Sequence, residues 1–89
     1  MVNGFLLKEF GAKVKMLRGQ NNWTQEDLAE ETGFHRTYIG MIERGERNIS
    51  LIHIAVFSKV FKQSISEFLD FKEISPKHSY KKYETKRDI

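Results

Sequence analysis

Residues 24–47 read TQEDLAEETGFHRTYIGMIERGER, and this stretch decides the fold. Thr24 is a favourable N-cap residue, and Asp27 follows three positions later in an approximate capping box. Trp23 and Leu28 flank the cap at hydrophobic-staple spacing. Leu28, Ala29 and Thr32 form the inner face of this helix, and Gly33 suits the left-handed residue that ends it. A second helix follows from about His35 to Arg44 and stops at Gly45. Phe34, Ile39 and Ile42 are its core residues, whereas Arg36, Thr37, Gly40, Met41 and Arg44 point outward. The spacing predicts two short helices joined by a tight turn, with Arg36, Thr37 and Tyr38 side by side where the second begins.

The flanks complete an all-α chain of five helices. Leu7, Phe10, Val14 and Leu17 recur at helical spacing and predict a first helix from about Gly4 to Gly19. Gly11 sits inside it at a cost of about 1 kcal/mol against Ala, which a close helix contact would explain. A fourth helix starts near Ser50, with Leu51, Ile54, Phe57, Ser58 and Phe61 on one stripe and Ile52, Val56 and Val60 on another. One helix on one core rarely needs both stripes. Ser64 and Glu67 form a capping box for a short fifth helix carrying Ile65, Phe68 and Leu69. There are no internal repeats and no strand signals. After Phe71 the apolar period stops, so residues 1–71 read as one domain and 72–89 as a basic tail, flexible or loosely helical.

Composition excludes more than it assigns. The 89 residues allow one modest core. Without cysteine there is no disulfide framework or cysteine-based zinc site, and His35, His53 and His78 are too scattered for a local metal cluster. His53 and His78 read as plain surface residues. No nucleophile–base pair or phosphate-cradling glycine loop appears, so neither an enzyme nor a cofactor is expected. No signal-peptide pattern or apolar run of ~20 residues is present, so a cytoplasmic protein with no membrane partner is expected. The net charge is +3, yet residues 1–71 carry nine basic and nine acidic side chains. The excess lies wholly in the tail. Any polyanion must therefore be bound through placement of charge.

The helix pair supplies such placement. Reading the major groove of DNA needs a second helix that presents its N-terminal side chains, a supporting first helix and phosphate contacts that fix register. Gln25 lies in the first turn of the supporting helix, where its amide and nearby N–H groups can hold a phosphate. Arg36 can engage a guanine edge in bidentate fashion, Thr37 can pack on a thymine methyl, and Met41 follows one turn later. WTQEDLAEETGFHRTYIGMIERGERN, with FGAKVKMLR before it and KVFKQSISEFL after it, resembles the Cro/cI-type helix-turn-helix family, also called the xenobiotic-response-element family. The resemblance covers about residues 10 to 69. RTYIGMIERGERN looks most like the controller proteins of restriction–modification systems, which are small dimeric regulators of the endonuclease and methyltransferase genes.

The resemblance implies a lambda-repressor-like fold with Gln25 on a phosphate and Arg36, Thr37 and Met41 in the groove. It places Tyr38 at a position that faces the DNA backbone or supports it. Arg47 matches an arginine that contacts DNA in the controller group, with Asn48 beside it. Arg18 and Glu43 match a pair that ties the first helix to the third. His35 departs from the usual Ser, Thr or Asp cap: the imidazole either caps less well or reaches a phosphate. Lys62 replaces a glycine that often ends the fourth helix. A single short helix reads few base pairs, so an inverted-repeat operator bound by a homodimer is expected, with Ile52, Val56, Val60, Ile65 and Phe68 at the dimer interface. Glu26, Asp27, Glu30 and Glu31 are placed either for an activating contact with RNA polymerase or as a solvated face. The rival readings are an antitoxin whose tail anchors a partner through Tyr80 and Tyr83, and a protein-interaction module that has lost DNA binding.

Overall fold

A computed structural model describes residues 4–71, which hold five helices and no strand. These are α1 (Gly4–Gln20), α2 (Gln25–Thr32), α3 (Arg36–Glu43), α4 (Leu51–Val60) and α5 (Ile65–Phe68). The sequence from Lys72 onward, with Tyr80 and Tyr83, lies outside the described residues.

Local chemistry sets the helix ends. Thr24 Oγ1 accepts from the Asp27 N–H at 3.0 Å, and Asp27 Oδ2 accepts from the Thr24 N–H at 2.8 Å. Gly33 takes φ 83°, and its N–H closes α2 on the Ala29 carbonyl at 2.8 Å. Ser50 caps α4, and Ser64 with Glu67 forms the box that starts α5. α3 is shorter than its apolar pattern suggests, because His35 is its cap and Arg44 already lies beyond its last turn. Lys62 adopts φ 58°, the left-handed conformation in which a side chain costs about 1–2 kcal/mol.

Every helix feeds one core. Phe10, Val14 and Leu17 come from α1, Leu28 from α2, Ile39 and Ile42 from α3, Phe57 from α4 and Phe68 from α5, with Phe61 just past α4. Phe10 stands edge-on to Phe57 and Phe68, with ring centroids 6.0 and 5.3 Å away. Trp23 stacks on Phe61 at 5.9 Å and so pins the start of α2 to the end of α4. α1 and α3 cross at Gly11. A Cβ there would overlap the Ile42 carbonyl oxygen and lie 2.7 Å from that of Glu43, so only glycine permits this approach.

Two expectations about the apolar stripes need correction. Leu51 is 70% exposed rather than part of the core. Phe68, expected at a dimer interface, is wholly buried among Phe10, Phe57 and Phe61 and has no surface for a second copy. Val60 is half-buried and packs against the core, whereas Val56 is half-buried and Ile52 and Ile65 are exposed.

Candidate nucleic-acid interface

The turn between α2 and α3 is held by side chains as well as by Gly33. The Thr32 hydroxyl donates to the Leu28 carbonyl at 2.8 Å and accepts from the Phe34 N–H at 3.1 Å. His35 Nδ1 accepts from the Thr37 N–H at 3.0 Å, so the imidazole does the work of the usual hydroxyl or carboxylate cap. This bond requires Nδ1 to carry a lone pair, which fixes the proton of the neutral ring on Nε2.

α3 is thereby offered to solvent by one face only. Ile39 and Ile42 are buried in the core, and Gly40, expected to point outward, is buried as well because the Arg44 and Gln25 side chains lie over it, while Arg36 and Thr37 are exposed at the start of the helix. Arg36 Nε meets Glu26 Oε2 at 2.9 Å, with both side chains more than half exposed. An exposed pair of this kind contributes about 0–1 kcal/mol, so it orients the guanidinium without committing it. The pair spans α2 and α3, and nothing in the local sequence pattern announced it.

Gln25 is less free than its position in the sequence suggested. Its Nε2 donates to Glu43 Oε1 at 3.0 Å. Glu43 is nearly buried and also accepts from Arg18, Nε to Oε2 at 2.7 Å and Nη2 to Oε1 at 3.0 Å. Arg18 Nη1 reaches the Trp23 carbonyl at 3.0 Å. These bonds join α1, the α1–α2 loop, α2 and α3 at one carboxylate. The hydrogen bonds to Glu43 hold the Arg18 guanidinium charged, raised above its ordinary value against the opposing effect of burial. With one amide N–H engaged, Gln25 still has a second donor hydrogen for a phosphate oxygen.

A second cluster lies beside α3. Tyr38 is half-buried, and its hydroxyl hydrogen-bonds with His53 Nδ1 at 2.7 Å. The Arg47 guanidinium sits over the Tyr38 ring at 5.5 Å, and Arg47 Nη1 lies 3.6 Å from Met41 Sδ. Burial pushes the Tyr38 phenol above the ordinary tyrosine value, and the Arg47 charge pulls it part of the way back. His53 is therefore not the plain surface residue expected of it; Phe34 also packs on it, with ring centroids 4.5 Å apart. Fifteen residues separate His53 from Tyr38, so no local spacing pointed to their contact. Arg47 and Asn48 are exposed in the loop between α3 and α4. Arg44 pairs with Glu46 at 2.9 Å, and its hydrogen bonds hold the Glu46 carboxyl below its usual range.

No group of residues that could hold a metal ion occurs among the described residues. None of their helices is long and apolar enough to cross a membrane.

The family model for helix-turn-helix domains matches residues 14–68, which contain both clusters and the exposed start of α3. The chain belongs to the helix-turn-helix family. Within that family it is similar to control protein C.BamHI of Bacillus amyloliquefaciens, 47% identical over 66 residues that span 73% of this chain and 82% of the relative. It is 44% identical to control protein C.SmaI of Serratia marcescens over 64 residues, 71% of this chain and 76% of that one. Among solved structures, this helix-turn-helix fold is similar to the restriction–modification controller protein C.Esp1396I, seen as a tetramer with its natural 35 base-pair operator. That match has a TM-score of 0.68 at 35% identity and covers 74% of this chain and 87% of the other.

Proposed function

We propose that this helix-turn-helix protein is a sequence-specific DNA-binding transcription regulator that controls restriction–modification genes from an inverted-repeat operator. The observation that carries the reading is the start of α3. Arg36 and Thr37 stand exposed there, while Ile39 and Ile42 seal the opposite face into the core. The similarity to three control proteins of the same family supports it.

Arg36 and Thr37, with Met41 a turn further on, read base edges in the major groove. Gln25, His35, Tyr38, Arg47 and Asn48 lie where phosphate contacts set register. The Glu26 carboxylate yields Arg36 to a guanine edge, because an exposed ion pair is weak against a bidentate base contact.

The protein acts as a homodimer. One short helix per groove gives little specificity, and a twofold pair reads half-sites about 34 Å apart. Ile52 is 74% exposed and Ile65 41%, and large apolar groups left in water favour a self-complementary contact. Leu51 joins them as a further exposed apolar side chain, and Val56 lies one turn beyond Ile52. Glu30 and Glu31 on α2 are exposed and free of capping duty, which suits an activating contact with RNA polymerase.

Selection of binding sites from random duplex DNA tests the reading. A palindromic consensus is expected, and an absence of enrichment at low salt would refute it. Light scattering at tens of micromolar should report a dimer, and a monomer would remove the basis for the palindrome.

A further inference from the structure

We infer that His53 is a positioning residue for DNA binding: it holds the Tyr38 ring, and through that ring Arg47, in the geometry that meets a phosphate. The inference rests on the DNA-binding reading above, but its first half concerns the folded protein alone.

Arg47 lies in a loop without regular secondary structure. A long exposed arginine there has much rotamer freedom to lose on binding. Two contacts restrain it, the Tyr38 ring under its guanidinium and Met41 Sδ at 3.6 Å. The first is useful only if the ring itself is fixed. Tyr38 is fixed from one side by Phe34, edge-on at 5.2 Å, and at its tip by the 2.7 Å hydrogen bond with His53. His53 is locked in turn by the Phe34 ring at 4.5 Å, and its backbone N–H bonds to the Ser50 cap at 3.1 Å. The chain of contacts therefore runs from the first turn of α4, through α3, to the loop arginine. Each link removes freedom that binding would otherwise have to remove, which is how preorganisation raises affinity without a new contact. Removal of the imidazole leaves the phenol tip without its partner and lets the ring move away from Arg47.

The test compares His53→Phe, His53→Asn, Tyr38→Phe, Arg47→Ala and the double variant His53→Phe/Arg47→Ala. Asn places a polar atom near the position of Nδ1, so it should keep the bond, whereas Phe keeps ring volume without it. Each is measured for affinity to the selected duplex, and the NMR shift of the Arg47 side-chain protons is read without DNA. His53→Phe should weaken binding by up to about tenfold, the cost of ordering an arginine side chain that is no longer preorganised, and Tyr38→Phe should weaken it at least as much, because it also loses its own phosphate contact. His53→Asn should restore most of it. In the Arg47→Ala background His53→Phe should change affinity by less than about twofold, because coupled residues are not additive. The upfield shift that the Tyr38 ring imposes on Arg47 should collapse in His53→Phe. Retention of that shift, or independent effects of His53→Phe and Arg47→Ala on affinity, would overturn the inference. If His53→Phe does not fold, Tyr38→Phe removes the same bond from the other side, and its Arg47 ring-current shift, read without DNA, decides the matter. If the wild-type chain binds no duplex, the functional reading fails, and the ring-current shift still decides whether His53 holds Arg47.

Discussion

Replacing Gly11 with Ala should unfold this protein more readily, against the usual effect of alanine in a helix. Helix propensity alone favours the change by about 1 kcal/mol. At Gly11, however, the new Cβ would overlap the Ile42 carbonyl oxygen and lie 2.7 Å from the Glu43 carbonyl oxygen, where ordinary contact begins at 3.4 Å. Both obstacles are backbone and cannot rotate away. The Ile42 oxygen is the nearer of the two, so α1 must retreat from α3 by about 1 Å, and a gap of that size forfeits about half of the dispersion energy of each contact across it. Phe10, Val14, Ile39 and Ile42 lie on those two helices in the core. Overpacking typically costs about 1–3 kcal/mol, and the Arg18–Glu43 pair between the same helices is strained as well. Net of the propensity gain, the expectation is a loss of about 1–2 kcal/mol, which lowers Tm by about 4–16 °C in a domain of this size. Gly19→Ala is the matched control: it lies in the same helix, with no atom within 4 Å of the added methyl. It should gain up to about 1 kcal/mol. Thermal melting followed by far-UV circular dichroism distinguishes the two, and a Gly11→Ala protein as stable as Gly19→Ala would refute the packing argument.

Glu43→Gln should cost about 3 kcal/mol in urea denaturation, because it leaves the part-buried Arg18 guanidinium without its carboxylate and disturbs Gln25. Its DNA affinity should fall further than the loss of stability explains, through Gln25. Tyr38, whose phenol is raised by burial, adds stability that is fully present below the ordinary tyrosine value of about pH 10 and is lost as pH rises through its higher folded value. Alkaline titration by ultraviolet absorbance should show a phenol ionisation above the ordinary tyrosine value that is missing from Tyr38→Phe, and Tyr38→Phe should lose less stability across that window than wild type. A high-pH ionisation unchanged by Tyr38→Phe would contradict the burial argument.

What was legible in the sequence was what short range determines. Thr24, Asp27, Gly33, Ser64 and Glu67 act through bonds to residues three or four positions away, and these motifs could be read directly. The core faces of α1 and α3 followed from apolar period, and Gly11 pointed to a close helix crossing. α4 was harder because apolar residues surround it: nothing in the pattern shows that Leu51 projects into solvent while Ile54 packs inward. Phe68 could be assigned to a dimer interface because α5 has only four residues, too few for periodicity to establish a face. The contacts that organise the candidate site were beyond local reading. Glu26 with Arg36, Gln25 with Glu43 and Tyr38 with His53 each join different helices across 10, 18 and 15 positions. Only the fold brings them together.

On the proposed function, the first turn of α3 reads sequence while Gln25 sets register. The direct measurement is the base preference of Arg36→Ala and Gln25→Ala across every position of the selected operator. Arg36→Ala should relax discrimination by about 1–3 kcal/mol at one base of each half-site, and Gln25→Ala should weaken all sequences alike. An Arg36→Ala protein that selects the same consensus with undiminished preference would contradict the account.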